Sequence, residues 1–330
     1  MKSIILCEKR ENVDYVFSPE QIQYLKDNAG LVDICTYKDI QSGKYLEIDF
    51  IFSTWGMPQI SETEIKQYLP NLKSVFYAAG TVQSFARPFL NCGVRVFSAW
   101  AANAVPVAEY TVSQILLANK GFFAVSAPCS IGHREEANLA FSKYPGNYGE
   151  TVGIIGAGMI GKLVIRLLKN FNLKVLVFDP FLSDEKAEEL GVRKCDLETL
   201  FKESFVVSNH LANNEQTQGM LDYKLFSLMR DNATFINTGR GAQVVESDLI
   251  KVLKNRNDIF ALLDVTYPEP PVEDSELYKL SNCILTPHIA GSSGKEVNRM
   301  AEYMIEEFNS FIEGCSPRYE VTLEMLKTMA

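Results

Sequence analysis

The chain has 330 residues, enough for about two domains, and its 47% hydrophobic and 22% charged residues are typical of a globular protein. Its formal net charge of −9 at pH 7, without a long Lys/Arg block, argues against nucleic acid or an anionic membrane as a partner. No apolar run reaches membrane-spanning length, and seven scattered cysteines without a CxxC pair predict reduced thiols in a cytoplasmic protein.

The first hundred residues alternate short apolar runs with polar stretches of helical periodicity, such as Ser18–Lys26. The apolar runs are residues 3–7, 50–53, 73–78 and 94–98. This alternation predicts an α/β domain with a parallel sheet. We then expect one long helix from Pro106 to about Lys120, with the proline in its first turn, and an irregular connection over residues 125–149, which are rich in proline and glycine.

The next segment fits a dinucleotide-binding turn on both sides. The apolar strand Val152–Ile155 precedes the three glycines of a GxGxxG pattern, Gly156, Gly158 and Gly161, and an amphipathic helix follows them. In such a turn the first glycine permits the bend, the second lets the backbone approach a pyrophosphate, and the third lets the helix pack on the strand. The helix would direct its free N–H groups and its positive dipole end at the phosphates.

A second strand, Lys174–Phe178, ends at an acidic residue. Asp179 lies 18 residues past Gly161, about where a carboxylate binds the ribose diol of a dinucleotide. Its charge would repel a 2′-phosphate, and residues 180–183 contain no arginine to accept one, so the sequence predicts NAD rather than NADP. A solvated turn residue is the alternative interpretation of Asp179.

Strand and helix patterns continue to the end of the chain. Further strands are expected at residues 191–195, 205–208, 233–236, 259–263 and 283–285, followed by a long helix that Gly314 caps. The residues after that helix are too few to fold alone. We therefore predict an α/β protein with two doubly wound parallel sheets, in which a Rossmann NAD-binding domain (residues 104–291) is inserted into a flavodoxin-like substrate domain (residues 1–103 and 292–330).

Three reactive side chains follow late strands of the nucleotide domain. Arg240 lies in a glycine-flanked turn, Glu269 in a proline-rich loop and His288 after the last strand. Because the carboxyl ends of these strands face the ligand crevice, we expect the three side chains to converge there. A guanidinium binds a carboxylate in bidentate fashion, an imidazole exchanges the proton that accompanies hydride transfer, and a carboxylate behind it fixes its tautomer. Each residue alone could serve packing or a turn, but together they predict a 2-hydroxy-acid dehydrogenase site without a metal.

These motifs, in this order, resemble the D-isomer-specific 2-hydroxyacid dehydrogenases, a family that includes glycerate, hydroxypyruvate/glyoxylate, phosphoglycerate and D-lactate dehydrogenases. The resemblance extends from about Asn71 to Gly314. It implies that Arg240 anchors the substrate carboxylate, that Glu269 orients His288 as the acid/base, and that the protein forms a homodimer through its nucleotide domain. It also implies contacts with NAD and with substrate. The residues matched to NAD contacts are Met159, Ile160, Asp179, Thr238 and Asp264, and the substrate residues are Trp55, Ala79 and Gly80. We also assign Gly239 and Gly291 to the cofactor site, and we expect His210 to pack near the cofactor rather than to take part in the chemistry.

The chain departs from the family pattern at a few positions. After Gly80 the family usually has a Gly-x-Asp-Asn-x-Asp pattern, whereas this chain has Val82-Gln83-Ser84-Phe85, which predicts a reshaped pocket wall. Tyr110 replaces a usual His and Val245 a usual Asp or Asn, and neither is expected to touch the reacting atoms. Whether Trp55 is a side wall of the pocket or a core residue stays open.

The leading hypothesis is an NAD-dependent reductase of a small 2-keto acid, of the hydroxypyruvate/glycerate or glyoxylate type. The alternative is an NAD-sensing transcriptional corepressor on the same scaffold, which the acidic charge and the lack of basic tails disfavour. A formate-dehydrogenase-like enzyme would place Gln where Glu269 stands.

Overall fold

The computed structural model describes residues 1–327, and the chain divides into two compact units. The inserted unit is Ala104–Gly291, and the split unit combines Met1–Asn103 with the segment that begins at Ser292. Residues 328–330 of the predicted segment 292–330 lie outside the described residues. The Ser292 N–H donates to the Asn103 side chain at 2.9 Å, so the chain leaves and re-enters the split unit at one place.

The strands of the described residues are, in chain order, β1 Ser3–Leu6, β2 Leu31–Cys35, β3 Phe50–Ser53, β4 Ser74–Tyr77, β5 Arg95–Ser98, β6 Tyr148–Ile155, β7 Asn172–Phe178, β8 Arg193–Lys194, β9 Val206–Asn209, β10 Thr234–Asn237, β11 Phe260–Leu263, β12 Cys283–Leu285 and β13 Glu320–Val321. The helices are α1 Arg10–Val16, α2 Pro19–Asn28, α3 Tyr37–Gln41, α4 Glu62–Tyr68, α5 Ala86–Asn91, α6 Trp100–Asn119, α7 Phe122–Ser130, α8 Arg134–Phe141, α9 Met159–Leu168, α10 Asp184–Leu190, α11 Leu197–Glu203, α12 Tyr223–Ser227, α13 Glu246–Asn255 and α14 Asn298–Ile312. Short 3₁₀ turns lie at Gly241–Gln243, Glu276–Lys279, Gly294–Val297 and Met325–Lys327.

The sheet of the split unit has the strand order β13-β5-β4-β3-β1-β2. Strands β1 to β5 are parallel, in the order of flavodoxin-like folds, and β13 adds to β5 in the antiparallel direction. Helix α14 completes the core of this unit. Its Phe308 packs against Phe50, Phe52 and Phe76 with ring centroids 5.4, 5.4 and 5.6 Å apart.

The sheet of the inserted unit has seven parallel strands in the order β12-β11-β10-β9-β6-β7-β8. Successive side chains alternate between two apolar clusters, with Ile154 in one and Ile155 in the other, so helices cover both faces. The strand order reverses between β6 and β9, and ligands bind at such a switch point in doubly wound sheets. The predicted fold class, two doubly wound parallel sheets, is confirmed.

Two local predictions from the sequence are wrong, and one strand was missed. Residues 125–149 are not an irregular connection, because they contain most of α7, all of α8 and the start of β6, and Gly132 lies between the two short helices. The long helix begins at Trp100 rather than at Pro106, since the small apolar residues before the proline already favour a helix. Strand β2 was not expected, because a half-exposed edge strand shows no continuous apolar run.

Candidate active site

The turn between β6 and α9 has the geometry that a dinucleotide requires. Gly156 has a φ of +91°, which favours glycine, and its N–H donates to the Phe178 carbonyl at 2.8 Å. A Cβ on Gly161 would lie 2.0 Å from the Gly156 carbonyl oxygen, so α9 packs on the turn only without a side chain there. A Cβ on Gly158 would meet no atom within 4 Å. The open space at Gly158 lies before the first turn of α9, whose N–H groups lack helical acceptors, and a pyrophosphate fits these donors.

The carboxylate of Asp179, after β7, is held against this turn. Its Oδ2 accepts from the Ala157 N–H at 2.6 Å, and its Oδ1 accepts from the Phe181 N–H at 2.7 Å. The side chain is therefore fixed in place rather than free in solvent. A carboxylate has about four acceptor positions, so lone pairs remain for the hydroxyls of a ribose.

His210 follows β9, the strand beside β6 at the switch point. Its N–H donates to the Ile155 carbonyl at 2.7 Å, and its ring nitrogens lie 2.9 Å from Ser208 Oγ and 3.4 Å from Thr238 Oγ1. Burial lowers the pKa of His210 to about 3, so the ring stays neutral near pH 7. A neutral, buried imidazole of this kind serves packing and hydrogen bonding rather than proton transfer.

A buried network of amide side chains fixes the backbone of the turn that carries Arg240. The Asn237 side-chain oxygen accepts from the Gly239 N–H at 3.1 Å and from Asn209 Nδ2 at 3.0 Å. The Gln243 side-chain oxygen accepts from Asn209 Nδ2 at 2.5 Å and from the Arg240 N–H at 3.3 Å. The Arg240 side chain is exposed and donates one hydrogen bond, at 2.8 Å, to the Gly239 carbonyl. The backbone of the turn is thus rigid while most of the guanidinium is available to a ligand.

The Arg240 turn and the Glu269 loop adjoin one another. A Cβ on Gly241 would lie 2.0 Å from the Thr266 carbonyl carbon, so the two backbones are in van der Waals contact and only glycine fits. Arg240 and Glu269 are therefore carried by neighbouring segments of one unit.

Glu269 and His288 form the polar pair at the end of the sheet. Glu269 Oε1 lies 2.6 Å from His288 Nδ1, and the two side chains are 40% and 49% exposed. Because a carboxylate only accepts, Nδ1 carries the proton and Nε2 is left for another partner. A cavity of about 400 Å³ adjoins the pair, and its lining includes Asp264, Thr266 and Thr286.

The other predicted cofactor residues follow strands of the same sheet. Thr238 and Asp264 are buried after β10 and β11, Met159 is exposed at the first position of α9, Ile160 is half-buried beside it, and Gly291 ends the unit. Their assignment to the cofactor stays a prediction.

The residues predicted to contact the substrate lie in the split unit, after β3 and β4. Trp55 is 38% exposed and stacks on Tyr15 with centroids 6.3 Å apart, so it belongs to the surface rather than to the core. The Ala79 and Gly80 carbonyls accept from Ser98 Oγ at 3.0 and 2.5 Å, which fixes their loop. Their contact with a substrate stays a prediction.

The unusual segment after Gly80 packs by apolar contacts. Val82 and Phe85 are buried, and the Phe85 ring lies 4.8 Å from that of Tyr77. Gln83 Nε2 donates to the Leu326 carbonyl at 2.8 Å. The segment is thus anchored to the core and to the C-terminal segment.

Two residues that fix the Arg240 turn, Asn209 and Gln243, were missed in the sequence. Asn209 and Asn237 are paired in the register of β9 and β10, and both end their strands. Two asparagines at strand ends are a weak signal, because the strand order is needed to place them side by side.

Within residues 1–327 no group of three His, Cys, Asp or Glu side chains is arranged to hold a metal ion. No helix in this part of the chain is long and apolar enough to cross a membrane.

Comparison with known proteins matches residues 116–290, more than half of the chain, to the family described as "D-isomer specific 2-hydroxyacid dehydrogenase, NAD binding domain". A D-3-phosphoglycerate dehydrogenase of Archaeoglobus fulgidus is 30% identical over 81% of this chain and 50% of its own length. A glyoxylate reductase of Thermococcus litoralis is 37% identical over 57% of this chain and 56% of its own length. The chain thus spans about half the length of these relatives. A phosphoglycerate oxidoreductase structure from Rhizobium etli, 22% identical, superposes with a TM-score of 0.82 over 98% of this chain and 99% of that one, which supports the fold.

Proposed function

We propose, because the chain belongs to the family of D-isomer-specific 2-hydroxyacid dehydrogenases, that it transfers hydride between NAD(H) and a small 2-keto or 2-hydroxy acid of the glyoxylate or glycerate type. The observation that carries the proposal is the contact between Glu269 and His288 in the unit that also carries the Arg240 turn. The relatives are named as dehydrogenases and reductases, which favours an enzyme over the corepressor alternative.

NAD is the cofactor, and when bound it supplies or accepts the hydride at the carbon that bears the oxygen. The residues of this chain that would hold it are the open turn at Gly158, the first N–H groups of α9 and the Asp179 carboxylate. A methyl group would fill the space at Gly158, so that position fits a phosphate that approaches the backbone. The carboxylate at Asp179 favours a free ribose diol over a 2′-phosphate.

Arg240 binds the carboxylate of the keto acid. Among residues 1–327, its guanidinium donates to the Gly239 carbonyl, and its other N–H groups are left for a ligand. A bidentate pair with a carboxylate also polarises the neighbouring carbonyl, which a lysine would do only as a point charge.

His288 gives its proton to the carbonyl oxygen during reduction and takes it back during oxidation. Glu269 accepts the Nδ1 hydrogen at 2.6 Å, and this leaves Nε2 as the reacting nitrogen. The Glu269 carboxylate also stabilises the imidazolium that forms when Nε2 receives a proton. The family resemblance also assigns substrate contacts to residues of the split unit, namely the backbone at Ala79 and Gly80 and the side chain of Trp55.

Assays of NADH oxidation with glyoxylate, hydroxypyruvate and pyruvate test this function. At least one of these acids should be turned over at ~1 s⁻¹ or faster. His288→Ala should lower the rate by ~10²–10⁴. His133→Ala is the matched control, because His133 is exposed and also pairs with a glutamate, Glu136, at 3.2 Å. Turnover of no 2-keto acid, or full activity of His288→Ala, would contradict the proposal.

We propose a homodimer that forms through the surface around α7 and α8. Large apolar side chains are concentrated there, and Ile131 and Leu139 are each 71% exposed. The exposed apolar residues of this stretch are Leu117, Phe122, Ile131, Leu139, Phe141 and Tyr148. Such a concentration is typical of a surface that a partner covers.

Light scattering tests the dimer. The wild type should give twice the chain mass of 37.0 kDa, and the double variant Ile131→Asp/Leu139→Asp should give the mass of one chain. Val32→Asp, at an exposed apolar residue of the edge strand β2, should stay dimeric. A monomeric wild type would refute the proposed homodimer.

The seven cysteines are all free thiols, which supports the cytoplasm as the compartment.

A further inference from the structure

The turn that carries His288 is held by a buried carboxylate that does not belong to the Glu269 pair. Asp264 is 3% exposed and follows β11. Its Oδ1 accepts from the Ile289 N–H at 2.8 Å and its Oδ2 from the Ala290 N–H at 2.9 Å, while its backbone carbonyl accepts from the His288 N–H at 3.1 Å. Asp264 thus binds three successive amides, and His288 is the first of them.

His288 needs this support because its backbone is strained. Its φ is +55°, in the left-handed region that favours glycine. A non-glycine residue keeps such a conformation only where its surroundings fix it. The direction of the imidazole toward a ligand therefore depends on how firmly the turn is held.

Two hydroxyl groups continue the hydrogen bonding away from Asp264. Thr286 Oγ1 donates to Asp264 Oδ1 at 2.6 Å, and Tyr110 Oη lies 3.3 Å from Thr286 Oγ1. A threonine hydroxyl has one hydrogen, and here the carboxylate receives it, so Tyr110 donates to Thr286. Burial raises the pKa of Tyr110, which keeps its hydroxyl protonated and able to donate. All donors therefore point along one direction, from α6 to the carboxylate.

We propose that Tyr110, Thr286 and Asp264 form a brace that sets the left-handed turn at His288, and that Tyr110 and Thr286 are positioning residues for proton transfer. This rests on the proposed function, in which His288 is the acid/base. Tyr110 stands where the family usually has a histidine, so the tyrosine-to-threonine link is a feature of this chain's own sequence. Neither hydroxyl needs to touch the substrate, because both act through the Asp264 carboxylate.

Substitution of the hydroxyls under single-turnover conditions tests the brace. Thr286→Val should lower the rate of NADH oxidation ~10-fold and Tyr110→Phe ~3-fold, in line with one lost hydrogen bond each, with KM for the keto acid within ~3-fold of wild type. Thr286→Ser keeps the hydroxyl and should restore the rate. The matched controls are Thr234→Val and Tyr144→Phe, which remove hydroxyls outside the brace, and they should leave the rate unchanged.

The same variants overturn the proposal in defined ways. A rate for Thr286→Ser as low as that for Thr286→Val would mean that the methyl group, and not the hydroxyl, matters. Unchanged rates for both Thr286→Val and Tyr110→Phe, with a lower melting temperature, would mean that the two hydroxyls stabilise the fold but do not position His288.

Nuclear magnetic resonance separates a failure of the brace from a failure of the proposed function. The chain has three histidines, so the ¹⁵N signals of the His288 ring can be assigned by comparison with His288→Ala. We expect one tautomer, protonated at Nδ1, in the wild type and exchange broadening or a second tautomer in Thr286→Val. An identical spectrum in that variant would refute the brace, even if no 2-keto acid were turned over.

Discussion

Gly161→Ala should lower the stability of the unliganded protein, whereas Gly158→Ala should weaken the binding of NADH, although both changes add one methyl group to the same turn. The added Cβ at Gly161 would lie 2.0 Å from the Gly156 carbonyl oxygen, which is backbone and cannot rotate away. Helix α9 would have to shift by about an ångström, and overpacking of this kind costs ~1–3 kcal/mol. For a unit of this size that corresponds to a fall in melting temperature of ~2–12 °C.

The added Cβ at Gly158 meets no protein atom within 4 Å, so the melting temperature of the unliganded protein should change by less than ~2 °C. The methyl group would instead occupy the space in which a pyrophosphate approaches the backbone. We expect the Kd for NADH to rise ~5- to 150-fold, which is the same steric cost transferred to the ligand.

Calorimetry measures both quantities, by thermal scans of the unliganded variants and by titration with NADH. The reasoning fails if Gly158→Ala binds NADH within twofold of wild type, because the open space would then not be the phosphate site. It also fails if Gly161→Ala melts with the wild type, because the close approach of α9 would then not be needed.

Arg240→Lys should lower kcat/KM for the keto acid by ~30-fold or more, because it keeps the charge but loses the bidentate geometry, while the Kd for NADH stays within ~3-fold. Activity within threefold of wild type would reduce Arg240 to a turn residue. Asp179→Ser should narrow the preference for NADH over NADPH at least ~10-fold, as measured by the ratio of the two kcat/KM values; equal efficiency of the wild type with both cofactors would contradict the role of Asp179. His210→Gln should change acid unfolding. The folded wild type keeps His210 neutral down to a pKa of about 3, whereas the unfolded chain takes up that proton near pH 6.5, so stability is lost as the pH falls below 6.5, by up to ~1.4 kcal/mol per pH unit. In the glutamine variant, the free energy of unfolding, measured by urea titrations at several pH values, should depend less steeply on pH between pH 4.5 and 6.5. An unchanged dependence on pH would mean that His210 is protonated in the folded state.

The sequence predicted those features that depend on local patterns. The strand before Gly156, the helix after Gly161 and the acid at Asp179 each follow from periodicity and spacing over a few residues, and the structure has all three in place. The order of strands then brings the end of β6 next to the end of β9, as a doubly wound sheet requires.

The sequence did not predict the contacts that depend on register. Asn209 and Gln243 meet across 34 residues, and Tyr110 and Thr286 across 176, so neither pair leaves a local signal. The two helices within residues 122–141 were also missed, because Pro128 and Gly132 were interpreted as loop residues, although Pro128 lies in the last turn of α7 and Gly132 lies between the helices. The local composition of residues 122–141 favours turns, and only tertiary packing decides between a loop and a pair of short helices there.

The insertion has a consequence for the order in which the protein matures on the ribosome. All of the inserted unit has been translated before Phe308 of α14, which packs on Phe50 and Phe76 of the split unit. Since chains are synthesised from the N-terminus at ~5–20 residues per second, Phe50 and Phe76 wait ~10–40 s for this partner ring after the first hundred residues have been made. All residues of the nucleotide-binding unit are therefore available to form its own core before the aromatic cluster of the split unit receives Phe308.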